Sequence, residues 1–380
     1  MEALIQHLSQ ITPVEWGQMA VMWLIGGILI FLAIKKDMEP ALLLPLGFGA
    51  ILVNLPFSGA VDQAGAEGPL DTLFRAGIDN ELFPLLLFIG IGAMIDFGPL
   101  LSNPKLFLFG AAAQFGIFFT FSLACLIAPL LGFEITDAAS VAIIGAADGP
   151  TSIFVSSYFN SKYMGAIMVA AYSYMALVPI VQPAAIKLVT TKKERMIKMP
   201  YVQKDVSKAV RILFPIIVTA IAGLVAPKSV ALVGFLMFGN LIRECGVLNS
   251  LSATAQKDFA NIITLLLGIT IASKMRAADF VNIQTIIIML LGLLAFVFDT
   301  IGGVLFAKVI NLFSKNKINP MIGAAGISAF PMSSRVIHKM GLKEDPQNFL
   351  LMHAAGANVS GQIASVIAGG LIISLVEGIL

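Results

Sequence analysis

Three histidines and two cysteines are all that this 380-residue sequence holds of the nitrogen and sulfur side chains that build metal centres. His7, His338 and His353 lie far apart, as do Cys125 and Cys245, which excludes a histidine or thiolate cluster and a disulfide framework. Charge is equally sparse: Asp, Glu, Lys and Arg make up 12% of the residues and nearly cancel, to a net +2. The basic residues sit in short loops beside apolar runs, where membrane topology accounts for them, so a nucleic-acid surface is excluded as well. No glycine-rich phosphate loop or nucleotide-fold signature is present.

What the sequence has instead is long apolar runs. Hydrophobic residues make up 58% of the chain and its mean hydropathy is +0.92, more apolar surface than a soluble core of this length can bury. The expected fold class is an all-α, polytopic membrane protein. Runs at about 17–34, 82–99, 106–131, 165–187, 209–226, 259–275, 283–310 and 348–378 approach the roughly 20 residues a helix needs to cross a bilayer. Two shorter runs, about 41–55 and 229–242, read as brief or tilted spans. No Lys or Arg precedes the first run and no small-residue cleavage site with a soluble domain follows it, so it reads as a span and not as a removed signal.

The two halves of the chain resemble each other. Gly90 in PLLLFIGIGAMIDFG (Pro84 to Gly98) aligns with Gly268 in TLLLGITIASKMRA at an offset of 178, and IGAA at Ile144 aligns with IGAA at Ile322 at the same offset. Upstream, GFGAIL at Gly47 faces MFGNLI at Met237 at an offset of 190, and the longer first-half loop SGAVDQAGAEGPLDTLFRAGIDNE absorbs the difference. Matched order at a constant offset marks an internal repeat. The expected division is a first repeat at 1–189, a basic cytoplasmic linker at 190–208 and a second repeat at 209–380.

Basic residues orient these repeats. Lys35 and Lys36 close the first run, so its start faces outside and its end the cytoplasm. The loop carrying Asp62, Glu67, Asp71, Asp79 and Glu81 against Arg75 alone suits the outside, Lys105 marks the next inner turn, and TTKKERMIKMPYVQKDVSK (Thr190 to Lys208) is cytoplasmic. The signs agree only if the segment at about 138–157 dips in from outside and returns. Each half then has about five crossings and one re-entrant broken hairpin, and the odd number inverts the second copy. Its hairpin, at about 319–335, enters from the cytoplasm. Lys274 and Arg276 stand against this scheme, because they end a run that it sends outward.

An acid marks the first hairpin. In IGAADGPTSIF (Ile144 to Phe154), Gly145, Gly149 and Pro150 break the helix and free backbone carbonyls, which is tolerated at membrane depth only where the backbone is buried or lines a cavity. Asp148, Thr151 and Ser152 there, and Asn319, Ser328, Ser333 and Ser334 in the sister copy, offer the oxygen ligands that hard cations such as sodium prefer. Holding a bare carboxylate at mid-bilayer costs roughly 2.5–3.5 kcal/mol on insertion scales, so Asp148 needs a proton or a cation, and alternation between them is a coupling device. The other reading is a hydrogen-bonded structural aspartate at a helix end. AYSYMALVPIVQP adds Tyr172, Tyr174 and Gln182; HAAGANVSGQIAS adds Asn358, Ser360, Gln362 and Ser365. Tyr174 and Asn358 lie in Pro- or Gly-marked runs and are the stronger candidates, whereas Tyr172 and Ser360 also suit plain helix packing. Arg335 either pairs with Asp148 or marks the cytoplasmic boundary, and Asp299 in AFVFDTIGG reads as a structural or gating acid.

Read together, IGAADGPTSIF, YSYMALVPIVQP, FGNLIRECGVLNSLS, INPMIGAAGISAFPMSSRV and HAAGANVSGQIAS resemble the beta subunit of the biotin-dependent sodium-pumping decarboxylases. That group comprises the oxaloacetate, glutaconyl-CoA and methylmalonyl-CoA decarboxylases, and the resemblance covers nearly the whole chain. It implies an elevator-carrier-like fold of two inverted repeats and two hairpins, in the cytoplasmic membrane of a bacterium or archaeon. It also implies a subunit that decarboxylates carboxybiotin and exports sodium, with a proton consumed; a sodium-coupled secondary carrier or sodium/proton antiporter of similar fold is the alternative. The family's essential acid falls on Asp148, its functional tyrosine on Tyr174, its Asn, Gly, Ser and Arg on Asn319, Gly323, Ser328 and Arg335, and its later asparagine on Asn358. Catalysis is thereby expected of Asp148, Tyr174, Ser328 and Arg335, and sodium binding of Asp148, Asn319, Ser328 and Asn358, with Gly323 and Thr151 beside them. Implied partners are a carboxyltransferase alpha subunit, a biotin carrier protein or domain, a small single-span gamma or delta subunit and further copies of this chain. The sequence has no biotin site of its own. Lys198-Met199, Lys274-Met275 and Lys339-Met340 lie in membrane loops with no soluble domain around them, so carboxybiotin arrives on the carrier.

Overall fold

Apolar runs punctuated by proline and glycine fold here almost wholly as helices. The computed structural model describes residues 11–63, 65–200 and 205–380; His7 and positions 201–204 of the basic linker lie outside the described residues. Helix α1 (Pro13–Lys36) starts on a capping box in which Thr12 Oγ1 accepts from Glu15 N and Glu15 accepts from Thr12 N, and it ends with Lys35 and Lys36 against the negative helix terminus. Helices α2 (Pro40–Val53) and α3 (Pro69–Gly77) begin with proline, whose missing N–H is harmless there, and α3 meets α4 (Leu82–Met94) at 64°. Helices α5 (Phe107–Ala113) and α6 (Phe115–Leu131) are one apolar run interrupted at Gln114. Then come α7 (Ile135–Ala142), α8 (Gly149–Tyr158) and α9 (Met164–Val189). The 72° bend in α9 follows Met175, because Pro179 offers no N–H to the Met175 carbonyl and its ring pushes that carbonyl aside.

The second half holds α10 (Lys208–Val225), α11 (Val230–Glu244), α12 (Ala260–Ile271), α13 (Ile283–Phe313), α14 (Met321–Ala324), α15 (Met332–Glu344) and α16 (Leu351–Glu377). Among the described residues, five helical segments are long and apolar enough to cross a membrane, or up to seven if each bent pair is one span. Leu126, Leu130, Leu224 and Phe313 are 75–87% exposed, as a lipid-facing surface requires. The chain is a multi-pass membrane protein. The runs expected as spans at 82–99 and 259–275 yield shorter helices, α4 and α12, of 13 and 12 residues.

Both glycine-rich segments reverse the chain. After α7 and the turn Ile143–Ala146, Ala147 takes a left-handed φ of 51° and Asp148 starts α8; Ser161 Oγ then donates to Asp137 Oδ1 at 2.7 Å, so the chain returns to where it began. In the second segment, Asn319 before α14 and Asn348 after α15 both donate to the Arg195 carbonyl, at 2.8 and 3.1 Å. Near the start of α16, Asp345 pairs with Lys198 at 3.0 Å; at its far end, Glu377 pairs with Lys228 at 3.0 Å and accepts from Tyr158, the last residue of α8. A helix of 27 residues is about 40 Å long, so the two hairpin bases lie at opposite ends of α16.

Two helix crossings bring backbones together. A Cβ on Gly92 would lie 1.8 Å from the Leu236 carbonyl oxygen and one on Gly239 2.0 Å from that of Ile89, so α4 and α11 touch without side chains between them. Gly268 of α12 packs in the same way on the Leu42 carbonyl oxygen, 2.8 Å from where its Cβ would lie, and Gly49 of α2 meets the Ala272 side chain just past the end of α12. Asn54 stitches this contact, its Nδ2 donating to the Ala50 and Met275 carbonyls at 2.8 and 2.7 Å and its Oδ1 accepting from Ala277 N at 2.7 Å. Arg276 pairs with Asp71 of α3, and Lys274 Nζ lies 4.0 Å from the Phe74 ring centre. The two cations that oppose the charge-based topology are therefore held by the acidic loop region that the same topology sends outward.

Candidate functional site

Asp148 is the N-cap of α8. Its carboxylate accepts from Thr151 N at 3.5 Å and Thr151 Oγ1 at 2.6 Å, the bonds a helix start offers, and Ser365 Oγ of α16 adds a third at 3.1 Å. The residue is 3% exposed and all three donors are neutral. Neutral hydrogen bonds orient a carboxylate but do not cancel its charge, so a group this deeply buried takes a proton or a cation.

The second hairpin supplies the other side of the site. Ser328 donates both its N–H, at 3.3 Å, and its Oγ–H to the carbonyl of Ala146, two residues before Asp148. Helix α16 runs past both breaks with Asn358, Gln362 and Ser365 spaced to share one face. Asn358 Nδ2 donates to the Ile327 carbonyl at 2.6 Å, while Gln182 Nε2 holds the Ala324 carbonyl at 2.8 Å and Ser333 Oγ at 2.7 Å. Asn358 Oδ1, Gln362 Oε1 and the Tyr172 hydroxyl are buried with no hydrogen-bond partner among the described residues. Buried polar atoms are nearly always paired, so oxygens left over beside a carboxylate form the donor set that a hard cation takes. Asp148, Tyr172, Ser328 and Gln362 line one cavity of about 260 Å³ that extends to Glu39 in the α1–α2 turn. Burial raises the Glu39 pKa above its ordinary value, and the positive field of Arg335, itself exposed, partly offsets this.

Of the residues expected from the sequence, Thr151 bonds Asp148 directly, Ser328 bonds the Ala146 carbonyl beside it, and Asn358 holds the Ile327 carbonyl next to Ser328. Other expected residues lie apart from them. The Tyr174 hydroxyl donates to the Met289 carbonyl and its ring packs at Gly292 of α13. Tyr172, two positions earlier, points the other way: a Cβ on Gly149 would lie 2.7 Å from its hydroxyl. Asn319 Nδ2 is engaged by the Arg195 and Ile197 carbonyls at 2.8 and 2.9 Å, and Gly323 is pressed against the backbone of Gly303. Tyr172, Gln362 and Ser365 are the site residues that the sequence named without selecting. Among the described residues no three His, Cys, Asp or Glu side chains cluster as metal ligands.

Asp299 belongs to a different junction. It is 1% exposed, and its Oδ1 accepts from Ile117 N at 3.1 Å in the first turn of α6, so it caps, from α13, the helix that restarts after Gln114. Its other oxygen faces Gly145 of the first hairpin, where a Cβ would lie 2.8 Å away.

The profile of the family described as the Na+-transporting oxaloacetate decarboxylase beta subunit matches residues 18–376. Glutaconyl-CoA decarboxylase subunit beta of Acidaminococcus fermentans is 47% identical over 363 residues, covering 96% of this chain and 94% of the relative. Methylmalonyl-CoA decarboxylase subunit beta of Propionigenium modestum is 48% identical over 376 residues, covering 93% and 94%. Oxaloacetate decarboxylase beta chain 2 of Salmonella typhi is 43% identical over 430 aligned positions, covering 99% of each chain. Those 430 positions exceed the 380 residues here, so that relative carries its additional residues as internal insertions.

Proposed function

This chain belongs to the Na+-transporting oxaloacetate decarboxylase beta-subunit family, and we propose that in it the loss of carbon dioxide from carboxybiotin, with a proton consumed by the ureido nitrogen left behind, drives sodium out across the cytoplasmic membrane, with Asp148 as the carboxylate that binds the ion. The observation that carries this reading is the meeting of two helix breaks around an acid whose donors among the described residues are all neutral, with unpaired oxygens of Tyr172 and Gln362 lining the same cavity. Sodium or a proton satisfies Asp148 in turn. Moving one charge against 100 mV costs about 2.3 kcal/mol, a load within reach of a decarboxylation.

Exchanged contacts support two inverted repeats, 1–189 and 209–380, joined by the cytoplasmic linker. Helix α2 packs on α12 and α11 packs on α4; by the sequence offsets α2 corresponds to α11 and α4 to α12, so each contact is the other's mate, as a two-fold relation produces. The first hairpin likewise rests on α13 through Gly145, and the second on α5 through Gly326 and the Phe109 carbonyl. An elevator movement carries the hairpins with α9 and α16 past the other helices. Tyr174, Asn319, Gly323 and Arg335, which the family pattern marks, travel with the ion in that movement, and Tyr174 and Gly323 exchange their contacts with Met289 and Gly303 of α13. Carboxybiotin arrives on a carrier domain loaded by a carboxyltransferase alpha subunit, meeting the basic cytoplasmic loops; a small gamma or delta subunit and further copies of this chain complete the assembly. A sodium-coupled carrier without decarboxylase activity is not favoured, because relatives matching nearly end to end are decarboxylase subunits.

The test is Asp148→Asn in the complete complex in sealed vesicles. Sodium uptake and carboxybiotin decarboxylation should be lost together, and decarboxylation continuing at full rate would refute the coupling role.

A further inference from the structure

A bare ion does not account for the chamber above Asp148. Between Glu39 and Asp148 the cavity is walled by Leu42, Leu87, Ile91, Met94, Met175 and Phe330. Apolar walls do nothing for a cation and cost it hydration, whereas an apolar cleft with a few convergent polar groups is how proteins hold small organic rings.

The polar groups opposite Asp148 come from one irregular stretch of chain. Between Asn249–Thr254 and α12 the helix widens into a π-helical turn, Ala255–Phe259. Such turns reset the face that a helix presents and recur at functional sites. Gly90 of α4 makes room for this one: a Cβ there would lie 3.1 Å from the Ala255 carbonyl oxygen and 2.8 Å from Ala260 Cβ. Gln256, Asn261 and Thr264 then all line the cavity. Thr264 Oγ1 is satisfied by the Ala260 carbonyl at 2.7 Å, and Gln256 Nε2 by Ser252 Oγ at 2.8 Å. Gln256 Oε1 and the whole Asn261 amide are left for a guest; Asn261 is an exposed side chain with no hydrogen bond to the described residues. A primary amide pairs with a urea group two ways at once, Nδ2 donating to the urea oxygen and Oδ1 accepting from its N–H.

We infer that Asn261, with Gln256, binds the ureido ring of a biotin head group inside this cavity, its apolar ring against Phe330 and Met94 and its reacting end toward Asp148. This rests on the carboxybiotin reading above and extends it by assigning the wall that recognises the head group.

The test uses the complete complex in detergent with free carboxybiotin as substrate. Asn261→Leu and Gln256→Leu should each raise the KM for carboxybiotin at least tenfold while leaving the sodium concentration for half-maximal activity within twofold of wild type. A second readout needs no turnover: with Cys125 and Cys245 replaced by serine, Asn261→Cys should react with a maleimide, and millimolar biotin should slow that reaction. Unchanged KM values, or labelling that is indifferent to biotin, would overturn the assignment; if the leucine variants do not fold, labelling of the cysteine variant decides it. Loss of the Asp148 reading alone would appear elsewhere, as sodium binding that survives Asp148→Asn.

Discussion

Replacing Asp148 with asparagine removes one negative charge and little else. Asparagine caps helices about as well as aspartate, and its Oδ1 keeps a bond from Thr151 or Ser365, so α8 should still begin at Gly149. What disappears is the attraction between carboxylate and cation. With the charges about 4 Å apart at an effective dielectric of about 20, that attraction is about 4 kcal/mol. At 1.4 kcal/mol for each factor of ten, sodium should bind roughly 1000-fold more weakly. Equilibrium binding of radioactive sodium to the purified protein in lipid nanodiscs measures this directly, with a melting curve of each protein as the control for folding. A variant that melts like wild type and binds sodium within threefold of it would show that the carboxylate is not an ion ligand.

Gln362→Leu should keep the charge but lose one neutral oxygen, weakening sodium by about 1.5 kcal/mol, roughly tenfold, in the same binding assay. Asp299→Ala strips the cap from α6 and leaves buried N–H groups unpaired, so it should destabilise the protein by roughly 1–3 kcal/mol in thermal unfolding, whereas Asp299→Asn keeps the acceptor and most of the stability. Gly92→Val places a side chain where α4 and α11 touch and should lower the melting temperature through about 1–3 kcal/mol of overpacking. The Glu377 carboxyl is held below its ordinary value of 4.5 by the Tyr158 hydroxyl and then by Lys228. A lowered carboxylate pKa stabilises the fold above the unfolded-state value and loses that contribution as pH falls through the folded-state value. Wild type and Glu377→Gln should therefore differ in melting temperature at pH 7 and converge in acid below pH 4.5.

Features written in local sequence survive into the structure; features set by helix rotation do not appear in it in advance. The Gly-Ala-Asp-Gly-Pro pattern announces a break, and the chain breaks at Ala147 and Asp148 because only a left-handed residue followed by a cap links the two helices. The repeated IGAA places a second break at the same relative point, and the two breaks meet through Ser328 and Ala146. Tyr172 and Tyr174 are different. Two positions apart on a helix, they face nearly opposite ways, and which one meets Asp148 depends on how α9 turns against α13, where Met289 takes the Tyr174 hydroxyl. The interruption at Gln114 carries no proline, because its first-turn donors are satisfied by Asp299 from a helix far along the chain. Lys274 and Arg276 cannot be placed by charge alone, since their partners Phe74 and Asp71 become visible only in three dimensions.

A pair of high-resolution electron-microscopy maps of the assembled decarboxylase, one in saturating sodium and one in choline, would locate the ion itself. Sodium at Asp148 predicts density present only with sodium, about 2.3–2.6 Å from a carboxylate oxygen as for calcium, a hard cation of similar size, with an amide oxygen of Gln362 or Asn358 turned toward it. The same map in both salts, with Asp148 bonded only to Thr151 and Ser365 and the ion found elsewhere, would contradict it.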